Sequence, residues 1–222
     1  MPPTDDLLRY RRFHDAVVPG VADLHRMVRA IVDTVLPERA RILVCGAGGG
    51  RELETLGASP RSYEFVGVDP SREMLELARV SIAGTGTDAR TTLVEGVPAD
   101  LPADLHDAAT SLFVMHFLPD DGTKAGYLRE IRKRLRVGAV YLHADVCYDG
   151  AEGYRRLAPV YQRHAELGGI PSGDAQRVAG RVADLPIIAE DVLLERLRQA
   201  GFRVVAPFYR GLWYTGWWSE AV

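Results

Sequence analysis

Apolar positions recur three and four apart at Val21, Leu24, Val28, Ile31, Val32 and Val35. That period predicts a helix over Gly20–Leu36, closed by Pro37. A shorter helical piece is expected before it, around Asp5–Asp15. Beyond Pro37 the pattern becomes short, unbroken apolar runs separated by helical stretches. Arg41–Cys45, Tyr63–Val68, Thr91–Glu95, Ala108–Val114 and Val140–Val146 read as strands. The intervening helices start at about Gly49, after an N-cap at Ser71, and through Tyr127, Leu128, Ile131 and Leu135, with Gly138 as the expected cap of the last. Such alternation predicts an α/β fold, a parallel sheet covered by helices on both faces.

After Cys147 the pattern changes. Residues 148–188 mix helical stretches with Gly-Gly, Pro-Ser-Gly and Leu-Pro breaks, as a helical insertion would. Glu190–Ala200 reads as a helix ended by Gly201. Two strand-like runs follow, Phe202–Tyr209 and Leu212–Trp218. Their link is too short for a parallel crossover, so they must form a hairpin. Pro207 marks an irregularity or a weakly paired edge there. There is no internal repeat. The expected organisation is one domain, with an N-terminal helical lid (1–37), a core (38–147), the insertion (148–188) and a last helix and hairpin (189–222).

Composition narrows the function classes. The formal charge of -3 leaves no broad basic field, which counts against nucleic acid as the main partner. No apolar run approaches the length of a membrane span. The start, MPPTDDLLRYRRFH, lacks the apolar core of a signal peptide, so the expected location is cytoplasmic. Cys45 and Cys147 show no metal-type spacing, and no metal is expected.

The chemistry concentrates at RILVCGAGGGRELETLG, Arg41–Gly57. A phosphate-cradling loop needs GxxxxGK[ST], but Gly50 is followed by Arg51 and Glu52. A dinucleotide fingerprint needs GxGxxG, and its third glycine would fall on Arg51. The spacing present is GxGxG, at Gly46, Gly48 and Gly50. Glycine there lets the chain turn sharply off the strand and lets a ligand touch the backbone. Tight helix–strand packing alone could also account for it. Asp69, at the end of the second strand, can accept both ribose hydroxyls of an adenosine, or can simply cap the helix that follows.

The order of GxGxG, Asp69, VEGVPADLP, HDAATSLFVMHFLPDD, LREIRKRLRVGAVYLHADV and a final hairpin resembles the class I S-adenosylmethionine-dependent methyltransferases, from about Arg41 to the C-terminus. The resemblance implies a doubly wound, seven-stranded, mostly parallel sheet whose antiparallel last strand inserts beside the fifth. It also implies S-adenosylmethionine as cofactor, S-adenosylhomocysteine as product and a small-molecule acceptor. The methionine end maps to Gly46, Ala47 and Gly48, with Gly50 packing under the helix. Asp69 would take the ribose hydroxyls, with Pro70 and Met74 near the adenine and its ribose. Gly96, Val97 and Pro98 would flank the adenine, and Leu112 and Phe113 would lie near the methionine amino group. Two positions depart from the family. Val44 stands where many members carry an acid, and Val97 where many carry an aspartate.

A sulfonium methyl is already activated, so the sequence reveals no obligatory catalytic residue. His116, after the fourth strand, is either a base near the methyl position or a structural residue of its turn. His143 reads as structural. Tyr10 and His14 share a helix face and would point at the site if that helix closes over it. Glu52 reads only as favourable to the helix dipole. The insertion, with Tyr154, Arg155, Arg156, Tyr161 and His164, is expected to act as a lid. The aromatic YRGLWYTGWW is core packing or, in part, a homodimer contact. The rival readings are a cofactor-binding module without turnover and an NAD(P)-linked oxidoreductase.

Overall fold

The computed structural model describes residues 3–222. Seven strands form one sheet: β1 (Arg39–Cys45), β2 (Ser62–Asp69), β3 (Thr91–Glu95), β4 (His106–Leu112), β5 (Leu135–Val146), β6 (Phe202–Gly211) and β7 (Tyr214–Ala221). Their order across the sheet is β3-β2-β1-β4-β5-β7-β6. The first five run parallel, whereas β7 is antiparallel to both β5 and β6. The doubly wound sheet with its reversed strand beside β5 is therefore borne out.

Eight helices cover the sheet: α1 (Pro3–Val17), α2 (Val21–Val35), α3 (Arg51–Gly57), α4 (Arg72–Ile82), α5 (Thr123–Lys133), α6 (Gly150–Leu167), α7 (Ser172–Ala183) and α8 (Glu190–Gln199). Alternation along β1 sorts the core. Ile42 and Val44 join the apolar layer that holds Leu24, Val28, Leu53, Leu75 and Ala78, whereas Leu43 and Cys45 join Leu128, Ile131, Leu193 and Leu197. Thus α2, α3 and α4 pack on one face, and α5 and α8 on the other.

Four local expectations need correction. Gly138 does not cap α5. The helix stops at Lys133, and Gly138 (φ 80°) sits in an irregular part of β5, where pairing to β4 jumps from His106↔Leu135 to Ala108↔Val140. Arg134 closes that helix end instead, donating to the carbonyls of Glu130, Ala99 and Leu101. β4 ends at Leu112, not Val114, because Phe113 takes a left-handed φ of 62°. The last strand starts at Tyr214, because Leu212 (φ 55°) and Trp213 form the hairpin turn. Finally, the aromatics of the insertion turn into the core. Tyr161 and Tyr154 pack on the buried Trp213, and no residue of 148–188 lines the cavity described next.

Candidate active site

The carboxyl ends of β1, β2 and β4 open into a cavity of about 490 Å3, large enough for a nucleoside-sized ligand. Its floor is the glycine turn. Gly46 and Ala47 both donate to Val68 O, at 2.8 and 3.0 Å, which folds the loop back over β2. Gly46 has φ 76°, and a Cβ there would strike the Val114 side chain. Gly48 N–H donates to Asp69 Oδ2 at 2.9 Å, and Ser71 N–H donates to Asp69 Oδ1 at 2.9 Å. Asp69 is thus a buried brace between the glycine turn and α4, still with lone pairs toward the cavity. Ser71 caps α4 as expected, accepting from Met74 N–H.

Gly46, Ala47, Gly48, Asp69, Pro70, Met74, Gly96, Val97, Pro98, Leu112 and Phe113 are all brought to this one cavity. Gly50 is not. A Cβ on it would lie 2.8 Å from Ala78 Cα, so its place is against α4. Asp100, which shares the loop after β3, is turned away from the cavity to accept Val97 N–H at 2.9 Å. The wall beside Val97 and Pro98 therefore presents no side-chain carboxylate from this loop to the cavity.

Helix α1 roofs the cavity with Tyr10, Arg11 and His14. The Tyr10 ring rests on Gly49, where a Cβ would collide with it, and lies tilted at 37° with its centroid 4.3 Å from that of the His14 ring. Burial, aided by Asp69 and Glu52, pushes the Tyr10 hydroxyl up to about 12. Burial and the Arg51 cation push His14 down to about 4. Both arginines on the wall are engaged, Arg11 with Glu54 and Arg51 with Asp15. Glu52 also lines the cavity. It is 6% exposed, and its Oε1 has no hydrogen-bond partner among the described residues. Burial pushes its carboxyl up to about 8, and only the nearby Thr110 hydroxyl opposes this.

On the β4 side stands His116, in the helical turn Met115–Phe117. Its Nδ1 bonds Asp145 Oδ1, and its backbone N–H donates to Asp145 Oδ2 at 3.1 Å. Both residues are buried. Burial opposes ionisation of Asp145, but the His116 ring, then His143 and the Val146 N–H, outweigh it and hold the carboxyl below its ordinary value. A carboxylate only accepts, so Nδ1 carries a proton, and in the neutral ring the lone pair is on Nε2. Lys124, 1% exposed, fixes the turn by donating to Met115 O (2.6 Å) and Leu118 O (2.7 Å). His143 is fully buried within the sheet, near Tyr141 and Asp145. Sequence reasoning missed Asp145, Lys124 and the burial of Glu52. For Asp145 the available signal was an acid near the end of β5, the strand beside β4.

A model of a methyltransferase domain matches residues 42–138. The carboxy-S-adenosyl-L-methionine synthase of Dichelobacter nodosus is 25% identical over 90% of this chain and 83% of its own. Among solved structures, a possible exported protein of Bordetella parapertussis superposes with a TM-score of 0.72 at 18% identity, over 95% of this chain and 72% of that one. An O-methyltransferase family 2 protein of Planctomyces limnophilus, in complex with apigenin, gives 0.62 at 16% identity, over 94% and 63%. Among the described residues no helix is long and apolar enough to cross a membrane. The GxGxG turn and the Asp69 brace thus stand at one nucleoside-sized cavity, within the stretch that is similar to a methyltransferase domain, and the sheet with its reversed β7 has the fold of the solved structures it superposes on.

Proposed function

We propose that this protein methylates a small molecule at an ionisable atom, such as a hydroxyl, with His116 as the general base. The observation that carries this is the buried His116–Asp145 pair, which opens onto the same cavity as the glycine turn and Asp69. The residues present fit S-adenosylmethionine: cavity-lining loop backbone at Gly46–Gly48, an acceptor carboxylate at Asp69, and a packing wall at Val97 and Pro98. When bound, that cofactor supplies a methyl group activated for in-line displacement. His116 Nε2 takes the acceptor's proton, Asp145 stabilises the imidazolium, and Lys124 holds the turn in place. Tyr10, His14 and the exposed Phe117 beside His116 close an apolar mouth that excludes water. The free, buried Cys45 and Cys147 suit a reducing, cytoplasmic setting.

The relative from Dichelobacter nodosus suggests a second reading, synthesis of a carboxylated cofactor. A carboxylate on the transferred group calls for a free cation at the site, and Arg11 and Arg51 are both paired. Methyl transfer is therefore the better reading. The test is incubation with methyl-labelled S-adenosylmethionine and a panel of small phenols, amines and thiols. Label is expected in a phenol-type acceptor with wild type and to be at least a hundredfold slower with His116→Ala. Equal labelling by both proteins would remove His116 from the reaction.

A further inference from the structure

We propose that the Glu52 carboxylate binds the α-ammonium group at the methionine end of the cofactor, an assignment that rests on the S-adenosylmethionine reading above. Among the described residues two carboxylates line the cavity, Asp69 and Glu52. Each Asp69 oxygen already takes a backbone N–H, whereas Glu52 Oε1 takes nothing among the described residues. A buried acceptor on a cavity wall without a partner calls for a donor in the ligand.

Position identifies which end of the ligand supplies it. Val44 on β1 pairs in register with Thr110 on β4, so both side chains rise from the same sheet face, the face that α3 covers. Glu52 lies in the first turn of α3, next to the Thr110 hydroxyl. Its carboxylate is thus over the β1–β4 seam. Asp69 ends β2, and the Gly96–Pro98 loop follows β3, on the opposite flank. A ligand with its ribose at Asp69 and its ring at Gly96–Pro98 sends its other end toward Glu52. That end carries an ammonium and a sulfonium. Only the ammonium has N–H groups to give. A carboxylate oxygen set against the sulfonium methyl would itself be placed to attack it.

The free protein tolerates the arrangement because burial keeps Glu52 protonated at neutral pH. The groups facing it are Tyr10 from α1 and Thr110 from β4, with Asp69, Arg11 and Arg51 on the same cavity wall. Both arginines are paired, Arg11 with Glu54 and Arg51 with Asp15, so neither holds the proton off Glu52. An arriving ammonium draws that proton off to the solvent, so binding releases it.

The experiment is calorimetry at pH 7 with S-adenosylhomocysteine, which has no sulfonium, and with its desamino analogue, on wild type and Glu52→Gln. Wild type is expected to prefer S-adenosylhomocysteine by about tenfold to a hundredfold, with proton release visible as a dependence on buffer ionisation enthalpy. Glu52→Gln should lose that preference and that release while binding the desamino analogue as wild type does. The wild-type comparison stands even if the variant folds poorly. Unchanged binding of S-adenosylhomocysteine by Glu52→Gln, or equal loss of both ligands by a folded variant, would overturn the assignment. So would a loss seen with S-adenosylmethionine alone, which would place Glu52 at the sulfonium. Absence of any binding by wild type would instead sink the cofactor reading, and this assignment with it.

Discussion

The Asp145 carboxylate grips both the ring Nδ1 and the backbone N–H of His116, 29 residues earlier in the chain. Two attachments to one carboxylate fix the imidazole's tautomer and its direction together. Asp145→Asn keeps the shape but can present its amide N–H to Nδ1, which moves the ring proton to Nε2 and blocks the base. Methyl transfer at saturating cofactor is expected to fall about 10²- to 10⁴-fold, with S-adenosylhomocysteine affinity within about twofold of wild type. Steady-state kinetics alongside calorimetry checks this, and an Asn variant that retains full kcat would refute the base assignment.

Lys124 acts on the same turn from behind. Its ammonium ties two carbonyls that flank His116, although burial lowers its pKa. Lys124→Met leaves Leu118 O without its donor and Met115 O with the Leu118 N–H alone. The expected cost is about 1–3 kcal/mol of stability, with kcat falling more than cofactor affinity. Urea unfolding and the split between kcat and binding decide it. A variant as stable and active as wild type would mean the turn holds itself.

The part of the site near the glycines was legible because it is local. GAGGG, Asp69, Gly96 and Pro98 are strand-end residues, and alternating elements bring strand ends to one edge. What was hidden depends on contacts across the fold. Nothing in RLRVG shows that Arg134, by reaching three carbonyls, makes Gly138 unnecessary as a cap. Nothing in SLFVMHF shows that Phe113 leaves the strand with a positive φ. Asp145 reads as an ordinary residue of a strand until β5 is set beside β4. Glu52 reads as a solvated acid in a first helical turn, and only tertiary packing buries it.

Glu52 also makes a prediction for the ligand-free protein. Its folded pKa is raised, from 4.5 to about 8. Between those values the folded state holds a proton that the unfolded state has lost. The stabilising contribution is therefore full below the unfolded pKa and disappears as pH rises through the folded one. Glu52→Gln removes this dependence. The two proteins should be about equally stable near pH 5, and the variant should be more stable above pH 8, by on the order of 2–4 kcal/mol. Unfolding curves at pH 5, 7 and 9 test this; parallel pH profiles would show that Glu52 is not ionised against burial.

Two histidines under the N-terminal helices work in the opposite direction. Burial first, then the Arg51 cation, lowers His14 to about 4 and His25 to about 3, from 6.5. A depressed histidine contributes stability that is present above its unfolded pKa and lost as pH falls toward the folded one. The roof formed by α1 should loosen between about pH 6.5 and 4 before the sheet does. Hydrogen exchange, corrected for intrinsic rates, should rise in α1 and α2 at pH 5 relative to pH 7.5 while β1 and β4 stay protected. His25→Gln should reduce that rise. Uniform acceleration over the whole chain would count against a local acid-labile roof.

Gly46 and Gly49 sit three residues apart in one loop, yet their alanine variants should behave differently. At Gly46 an added Cβ must take a φ of 76° and meets Val114, which leads directly into the His116 turn. Neither the strand end nor that turn can give way cheaply. Gly46→Ala is expected to lose about 1–3 kcal/mol and most of its cofactor affinity. At Gly49 the φ is ordinary, and the obstacle is the Tyr10 ring, the end of a side chain on the roof. That ring can swing aside, so Gly49→Ala should stay within about 1 kcal/mol of wild type. Its effect should be displacement of α1, seen as faster hydrogen exchange there and weaker binding. If both variants were equally unstable, Tyr10 would be as rigid as the sheet, and α1 would be part of the core that cannot open.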